Sequence, residues 1–423
     1  MQPIAVIGLS CLFPEAYTPK QFWENLLLEK NSCIPATEEI LQADPLRYST
    51  NKKGVADKFY SSRGGYIKNF SLDPKGFLLS PKKIRTLGST FQWSLYTARE
   101  ALLDSGYFNK KDVLEKCGVV LGNLSFPTNE SNHLILPYYH KALQEMLCET
   151  MGRPDFSLHP FTPKKDSAWE NSRISGLPAS IIVQSLGLSS CGFSIDAACA
   201  SSLYSVALAC NYLAGEKTDL MLAGAVSAAD PFFVNMGFSI FQAYPERDEM
   251  SHPLDNNSAG LYASQGAGMF VLKRLSDAER DGDRIHAVIS GVGLSNDGRG
   301  QFVLSPNSKG QVLAFERAYH SLGVEKGQID YIECHATGTA LGDKVELDSI
   351  ERFFKGEGNT EEKRTSPLIG SVKSNLGHML TAAGMGGMTK VILSLQQGKI
   401  PATVGVKEPM SSKNAGISTN QIV

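Results

Sequence analysis

Short apolar runs alternate along this chain with longer stretches in which apolar residues return every three or four positions. The runs predict strands at Ile4–Gly8, Val119–Gly122, 192–195, 219–223, 268–272, 285–294, 329–334 and 368–372. The helical spacing predicts helices at Phe22–Leu28, at Phe91–Leu103 before a stop at Gly106, and at 200–214, 309–322, 341–354 and 379–396. His133–Met151 reads as a further helix inserted between core elements. Polar, glycine-containing Asn51–Gly65 reads as a surface loop, and Lys355–Ser366 as a mobile one. The strand runs are apolar throughout rather than alternating, so both faces of the sheet are covered. Strands interleaved with helices then mean an α/β architecture.

No proline-rich or low-complexity linker divides the chain. A weak internal echo relates Ile4-Ala5-Val6-Ile7-Gly8-Leu9-Ser10 to Val288-Ile289-Ser290-Gly291-Val292-Gly293-Leu294-Ser295. It suggests two halves of related design, residues 1–275 and 276–423, joined near 275–284.

Composition narrows the function classes. The 423 residues carry a formal charge of -2, so no global basic field points to nucleic acid. The pairs Lys52-Lys53, Lys82-Lys83 and Lys110-Lys111 read first as solvated surface, and second as a docking patch for an acidic partner. Eight cysteines at irregular spacing include no CxxC pair and no zinc-ligand pattern, so no metal is expected. The start at Met1 has no basic-then-apolar leader, and no apolar run reaches the length of a membrane span. A reducing, cytoplasmic setting is expected.

Candidate chemistry centres on Ser194-Ile195-Asp196-Ala197-Ala198-Cys199-Ala200-Ser201-Ser202. A strand ends in a small-residue elbow, and a helical pattern starts at once. A thiol opening a helix meets unpaired N–H groups and the positive end of the helix dipole, which favour its anion. Small neighbours leave room for a substrate carbonyl, as a nucleophile requires. On position alone a buried, inert cysteine is an equal reading. Two histidines change the balance. His335 lies in Glu333-Cys334-His335-Ala336-Thr337-Gly338-Thr339, followed by Gly342-Asp343 and Glu346. His378 closes Ser371-Val372-Lys373-Ser374-Asn375-Leu376-Gly377-His378. Each follows a predicted strand, and strand carboxyl ends are where α/β proteins bind ligands. A lone histidine is more often structural; two at strand ends, with a thiol at a third, make a candidate site.

Taken in order, DAACASS around Cys199, HATGT around His335 and KSNLGH around His378 resemble the signatures of the β-ketoacyl-acyl carrier protein synthases. The resemblance extends to residues 4–14, 101–106 and 266–273, and so over nearly the whole chain. The stretch Gly293–Gly300 is most similar to the ketosynthases of polyunsaturated fatty acid synthases, within the wider likeness to ketosynthase domains of fatty acid and polyketide synthases.

The resemblance implies a thiolase-like fold, two similar halves in layers of helix and sheet. It implies decarboxylative Claisen condensation. Cys199 would take an acyl chain from a carrier thioester, and malonyl-acyl carrier protein would lose carbon dioxide and attack it. His335 and His378 would stabilise the enolate. Thr337 and Thr339 would bind the pantetheine arm, and Lys373, paired with Glu346, would support the histidines. The implied partners are acyl carrier protein and a second subunit, identical or a ketosynthase-like chain-length subunit. No cofactor beyond the carrier's phosphopantetheine is implied. Helix 133–152 would line the acyl tunnel or the dimer surface, or be plain core.

Three stretches depart from the family pattern. Leu87–Trp93 stands where many modular ketosynthases have a DPQQR-like helix. Asp255–Gly260 matches the family's PFD loop loosely. The final GFGGTN-like segment, which gives the family a second oxyanion N–H and a gating phenylalanine, is not within residues 1–423, and an impaired chain is expected. The rival readings are a thiolase, which needs a second catalytic cysteine, a non-catalytic chain-length subunit, which typically lacks the nucleophile, and a cysteine hydrolase. Neither HExxH nor a P-loop occurs.

Overall fold

The computed structural model describes residues 2–159, 167–246, 250–298, 305–320, 326–355 and 367–423. Its strands are β1 (Ile4–Leu12), β2 (Cys33–Pro35), β3 (Arg63–Gly65), β4 (Cys117–Asn123), β5 (Gly192–Ile195), β6 (Leu220–Ser227), β7 (Gly266–Arg274), β8 (Ala287–Ile289), β9 (Tyr331–Glu333) and β10 (Leu368–Gly370). Six form the central mixed sheet in the order β5-β4-β6-β7-β1-β8. β4 runs parallel to β5 and β6, while β7 is antiparallel to β6 and β1. β9 and β10 pair in parallel, and β2 pairs antiparallel with β3.

The sheet is buried on both faces, as its continuous apolar strands require. In β1, Ala5 and Ile7 pack on one face and Ile4 and Val6 on the other. A register shift between Val6 and Gly8 reverses this parity, so that Leu12 joins the first face and Leu9 and Cys11 the second. A bulge does this because it inserts one residue into a period of two. The first face is covered by helices Ser89–Asp104 and Leu177–Leu186. The second is covered by Ser201–Ala214 and Ala383–Gln397. Helix Ser201–Ala214 approaches β4 closely: a Cβ on Gly122 would lie 2.9 Å from Cβ of Ser201. β9, β10 and helix Ala340–Lys355 enclose a third apolar cluster, with Cys334, Leu347, Ile350 and Ile369.

The echo between residues 4–10 and 288–295 becomes a direct contact, since β1 and β8 pair antiparallel with Ile4 opposite Ile289. Other expectations need correction. Among the described residues the strand expected over 285–294 is confined to Ala287–Ile289, which pairs with β1. Asn51–Gly65 is not all loop: Arg63–Gly65 is β3, whose pairing with a distant segment no local pattern reveals. The first helix starts at Pro19, earlier than its apolar spacing shows, with Thr18 as its cap. The inserted helix runs Asn129–Met151 and is not core. Tyr138 is 80% exposed, and Tyr139 and Met146 are also exposed. The expected mobile loop lies, beyond Lys355, outside the described residues.

Candidate active site

Cys199 sits one turn beyond the carboxyl end of β5. Asp196 accepts the Ala198 N–H through Oδ1 at 2.9 Å. Ser201 Oγ accepts the Ala197 N–H at 2.9 Å and donates to the Ala198 carbonyl at 2.7 Å. This bracing holds Ala198 at φ +49°, a left-handed conformation that costs a residue with a Cβ about 1–2 kcal/mol. The tight elbow turns the Cys199 side chain inward. A 3₁₀ turn, Ala198–Ala200, separates the elbow from the α-helix, which starts only at Ser201.

That placement corrects one electrostatic expectation. Burial pushes the Cys199 thiol above the ordinary range, with Lys373 and the residue's own N–H opposing only in part. The resting sulfur is therefore protonated, and a proton acceptor is needed. His378 is within reach, its Nε2 2.9 Å from Cys199 Sγ. The His378 backbone is pinned to the neighbouring segment, its N–H donating to Tyr262 at 2.7 Å and its carbonyl accepting from Ser264 at 2.9 Å.

His335 is positioned by helix Ala340–Lys355. The His335 and Ala336 N–H groups each donate to a Glu346 oxygen at 2.7 Å. The Thr337 and Gly338 N–H groups donate to Asp343 at 2.9 and 3.1 Å. Two carboxylates in one helix thus cap a loop of consecutive backbone donors. The His335 and His378 rings meet edge to face, with centroids 5.3 Å apart at 90°. Burial, with Lys373 nearby, drives His335 down to about 3. Burial, His335 and Lys373 drive His378 well below the usual imidazole range. Both rings are neutral near pH 7. Burial raises Asp343 to about 6 and Glu346 to about 7.

Lys373 reaches the Cys334 carbonyl at 3.5 Å. The expected Lys373–Glu346 ion pair does not form: no contact within 4.0 Å joins them among the described residues, because Glu346 is spent on the His335 loop. Lys373 instead acts on the histidines and Glu346 at longer range. Thr337 and Thr339 share a 3.1 Å hydroxyl contact and line a cavity of about 330 Å³ with His335, Gln311 and Leu341. A groove of about 570 Å³ runs from Cys199 and His335 between β8 and β9, floored by Ala383, Met388 and Leu395. Asp343 stands in the sequence motif without a role, and its work as a loop clamp shows only in three dimensions. Among the described residues no cluster is arranged to hold a metal, and no helix is long and apolar enough to cross a membrane.

Comparison with known proteins agrees with this geometry. The family model for the β-ketoacyl synthase N-terminal domain matches residues 1–278, and that for the C-terminal domain matches 286–407. The chain is 32% identical over 407 residues to a polyunsaturated fatty acid synthase polypeptide of Thraustochytrium sp., covering 95% of this chain and 18% of that protein. A solved structure described as PfaC keto synthase-chain length factor superposes with TM-score 0.94 at 52% identity, over 100% of this chain and 45% of that one. The ketosynthase from module 6 of the bacillaene synthase from Bacillus subtilis 168 superposes with TM-score 0.76 at 27% identity, over 96% of this chain and 63% of that one. The chain therefore spans under a fifth of the Thraustochytrium protein's length and under half of the PfaC chain. The fold is thiolase-like, and the chain belongs to the β-ketoacyl synthase family.

Proposed function

We propose that this chain is a catalytic ketosynthase that extends a cysteine-bound acyl chain by decarboxylative condensation with malonyl-acyl carrier protein. Its setting is polyunsaturated fatty acid or polyketide synthesis. The observation that carries this reading is Cys199 Sγ at 2.9 Å from His378 Nε2, with the neutral His335 ring standing edge to face against it. A chain-length subunit without catalysis has no use for a thiol held in this way.

The chemistry follows from the charges. As Cys199 attacks an acyl-carrier thioester, its proton passes to neutral His378 and then to the departing carrier thiolate. A Cys199 thioester forms and the carrier thioester bond breaks. The malonyl thioester then loses carbon dioxide, leaving an enolate. Neutral His335 and neutral His378, the latter in the tautomer that carries its proton on Nε2, donate N–H groups that stabilise its oxygen in a water-poor site. The enolate carbon attacks the Cys199 thioester, the sulfur leaves as thiolate and regains a proton from solvent, and the product is a β-ketoacyl thioester on the carrier. Thr337 and Thr339 line the cavity that leads to His335 and suit the pantetheine arm. Lys373 biases both rings toward neutrality.

Two surfaces suit partners. Among the described residues β5 is one edge of the central sheet, and the Asn129–Met151 helix exposes Tyr138, Tyr139 and Met146. A second ketosynthase-like chain covers them in this reading, in line with the paired description of the PfaC relative. The groove between β8 and β9 suits the family's GFGGTN-like segment, which would bring an oxyanion donor beside the Cys199 N–H.

The deciding experiment is intact mass after incubation with an acyl-carrier thioester, followed by peptide mapping. An acyl adduct on Cys199, absent in Cys199→Ala, is expected. No adduct, either in this chain or in a version extended through the GFGGTN-like segment, assigns the chain-length role instead.

A further inference from the structure

Lys390 is fully buried in the middle of helix Ala383–Gln397, a place where an ammonium group is costly unless paired. Its one polar contact among the described residues is Glu333 Oε2, at 3.1 Å. Glu333 closes β9, two residues before His335. Its carboxylate is shared three ways. Oε2 also accepts the Tyr331 hydroxyl at 2.6 Å, and Oε1 accepts the Val372 N–H at 2.6 Å. The Lys390 ammonium lies 5.4 Å from the centre of the Tyr331 ring. Gly387 lets Glu333 lie against the helix, since a Cβ there would stand 3.0 Å from Glu333 Cγ.

The Val372 link is the informative one. Glu333 leads into His335, and Val372 leads into Lys373 and His378. The carboxylate therefore joins the two segments whose separation sets the His335–His378 geometry. A salt bridge serving packing alone has no need of that N–H, and a simpler apolar pair would fill the same space at no desolvation cost.

We propose that Glu333, seated on Lys390 and Tyr331, is a positioning residue that fixes the distance between His335 and His378 through the Val372 N–H. The proposal rests on the ketosynthase reading, in which both rings serve decarboxylation while thiol acylation uses Cys199 and His378. His378 keeps its own backbone bonds to Tyr262 and Ser264, so loss of the link displaces His335 from it, slowing carbon dioxide release and sparing acylation.

Two charge-balanced double variants in the native polypeptide separate this from plain structural support. Glu333→Gln with Lys390→Met keeps an oxygen for Val372, whereas Glu333→Ala with Lys390→Met removes it. Carbon dioxide release from malonyl-carrier thioester and acylation of Cys199 are measured for each. The expected result is release within about threefold of wild type for the Gln variant and at least tenfold lower for the Ala variant, with acylation unchanged in both. Equal release in the two variants, or release and acylation falling together in the Ala variant, overturns the positioning role. His335→Ala is the control for the underlying reading. If it releases carbon dioxide normally, the decarboxylation role fails on its own account. If it does not, while the Ala double variant does, only the positioning role fails.

Discussion

At the scale of single residues, protonation is the property the structure changes most. A helix start alone would make Cys199 more acidic, yet its burial outweighs a terminus that lies a turn away. Alkylation of Cys199 by iodoacetamide should therefore keep accelerating above pH 9, past the ordinary thiol range, as followed by mass spectrometry. A plateau below pH 8 contradicts this. His335, at about 3, stays neutral down to acidic pH, so carbon dioxide release should show no imidazole inflection between pH 5 and 8. Separate His335→Ala and His378→Ala variants rank the two rings by the release each loses. Unchanged release in both removes them from the mechanism.

Glu346 and Asp343 carry a stability signature. Their folded values, about 7 and about 6, stand above the ordinary 4.5 and 3.8. Between about pH 4 and 7 the folded chain binds more protons than the unfolded one, so their contribution is present at low pH and lost as pH rises through 7. Glu346→Gln removes one titrating group. Its melting temperature should vary less between pH 5 and 8 than that of wild type, by differential scanning fluorimetry.

At the scale of elements, the site is assembled by close approach rather than by any one motif. Helix Ser201–Ala214 reaches β4 only because Gly122 has no side chain there. Gly122→Ala forces Cβ to within 2.9 Å of Ser201, and overpacking of this kind costs about 1–3 kcal/mol. Urea unfolding should show a loss of that size, together with altered reactivity of Cys199. A neutral effect means that the helix shifts freely. The element boundaries that escape local pattern are those set by remote partners. β3 exists because β2 pairs with it, and β8 is placed by its pairing with β1. The helix Asn129–Met151 is legible as a helix from its spacing, but its exposure is not. An apolar face looks the same in sequence whether a core or another chain covers it.

At the scale of the whole molecule, the pairing of β1 with β8 brings the two segments of the sequence echo together at the edge of one sheet. The groove beyond β8 opens onto Cys199 and His335. If a second chain covers β5 and the Asn129–Met151 helix, sedimentation should show a dimer, and Tyr138→Ser with Tyr139→Ser should weaken it.

The sequence by itself determined the α/β class, most of the central strands, the resemblance to the ketosynthases and the choice of Cys199, His335 and His378 as candidate site residues. These rest on local order: apolar runs, helical spacing and three motifs, each written in a few consecutive residues. Tertiary structure alone decided what those groups are chemically. The thiol is raised rather than lowered, Lys373 leaves Glu346 to the His335 loop, and Glu333 reaches Lys390 and Val372. Protonation depends on burial, and partnership on distance. Both are set by segments far apart in the chain, which no local pattern can bring together.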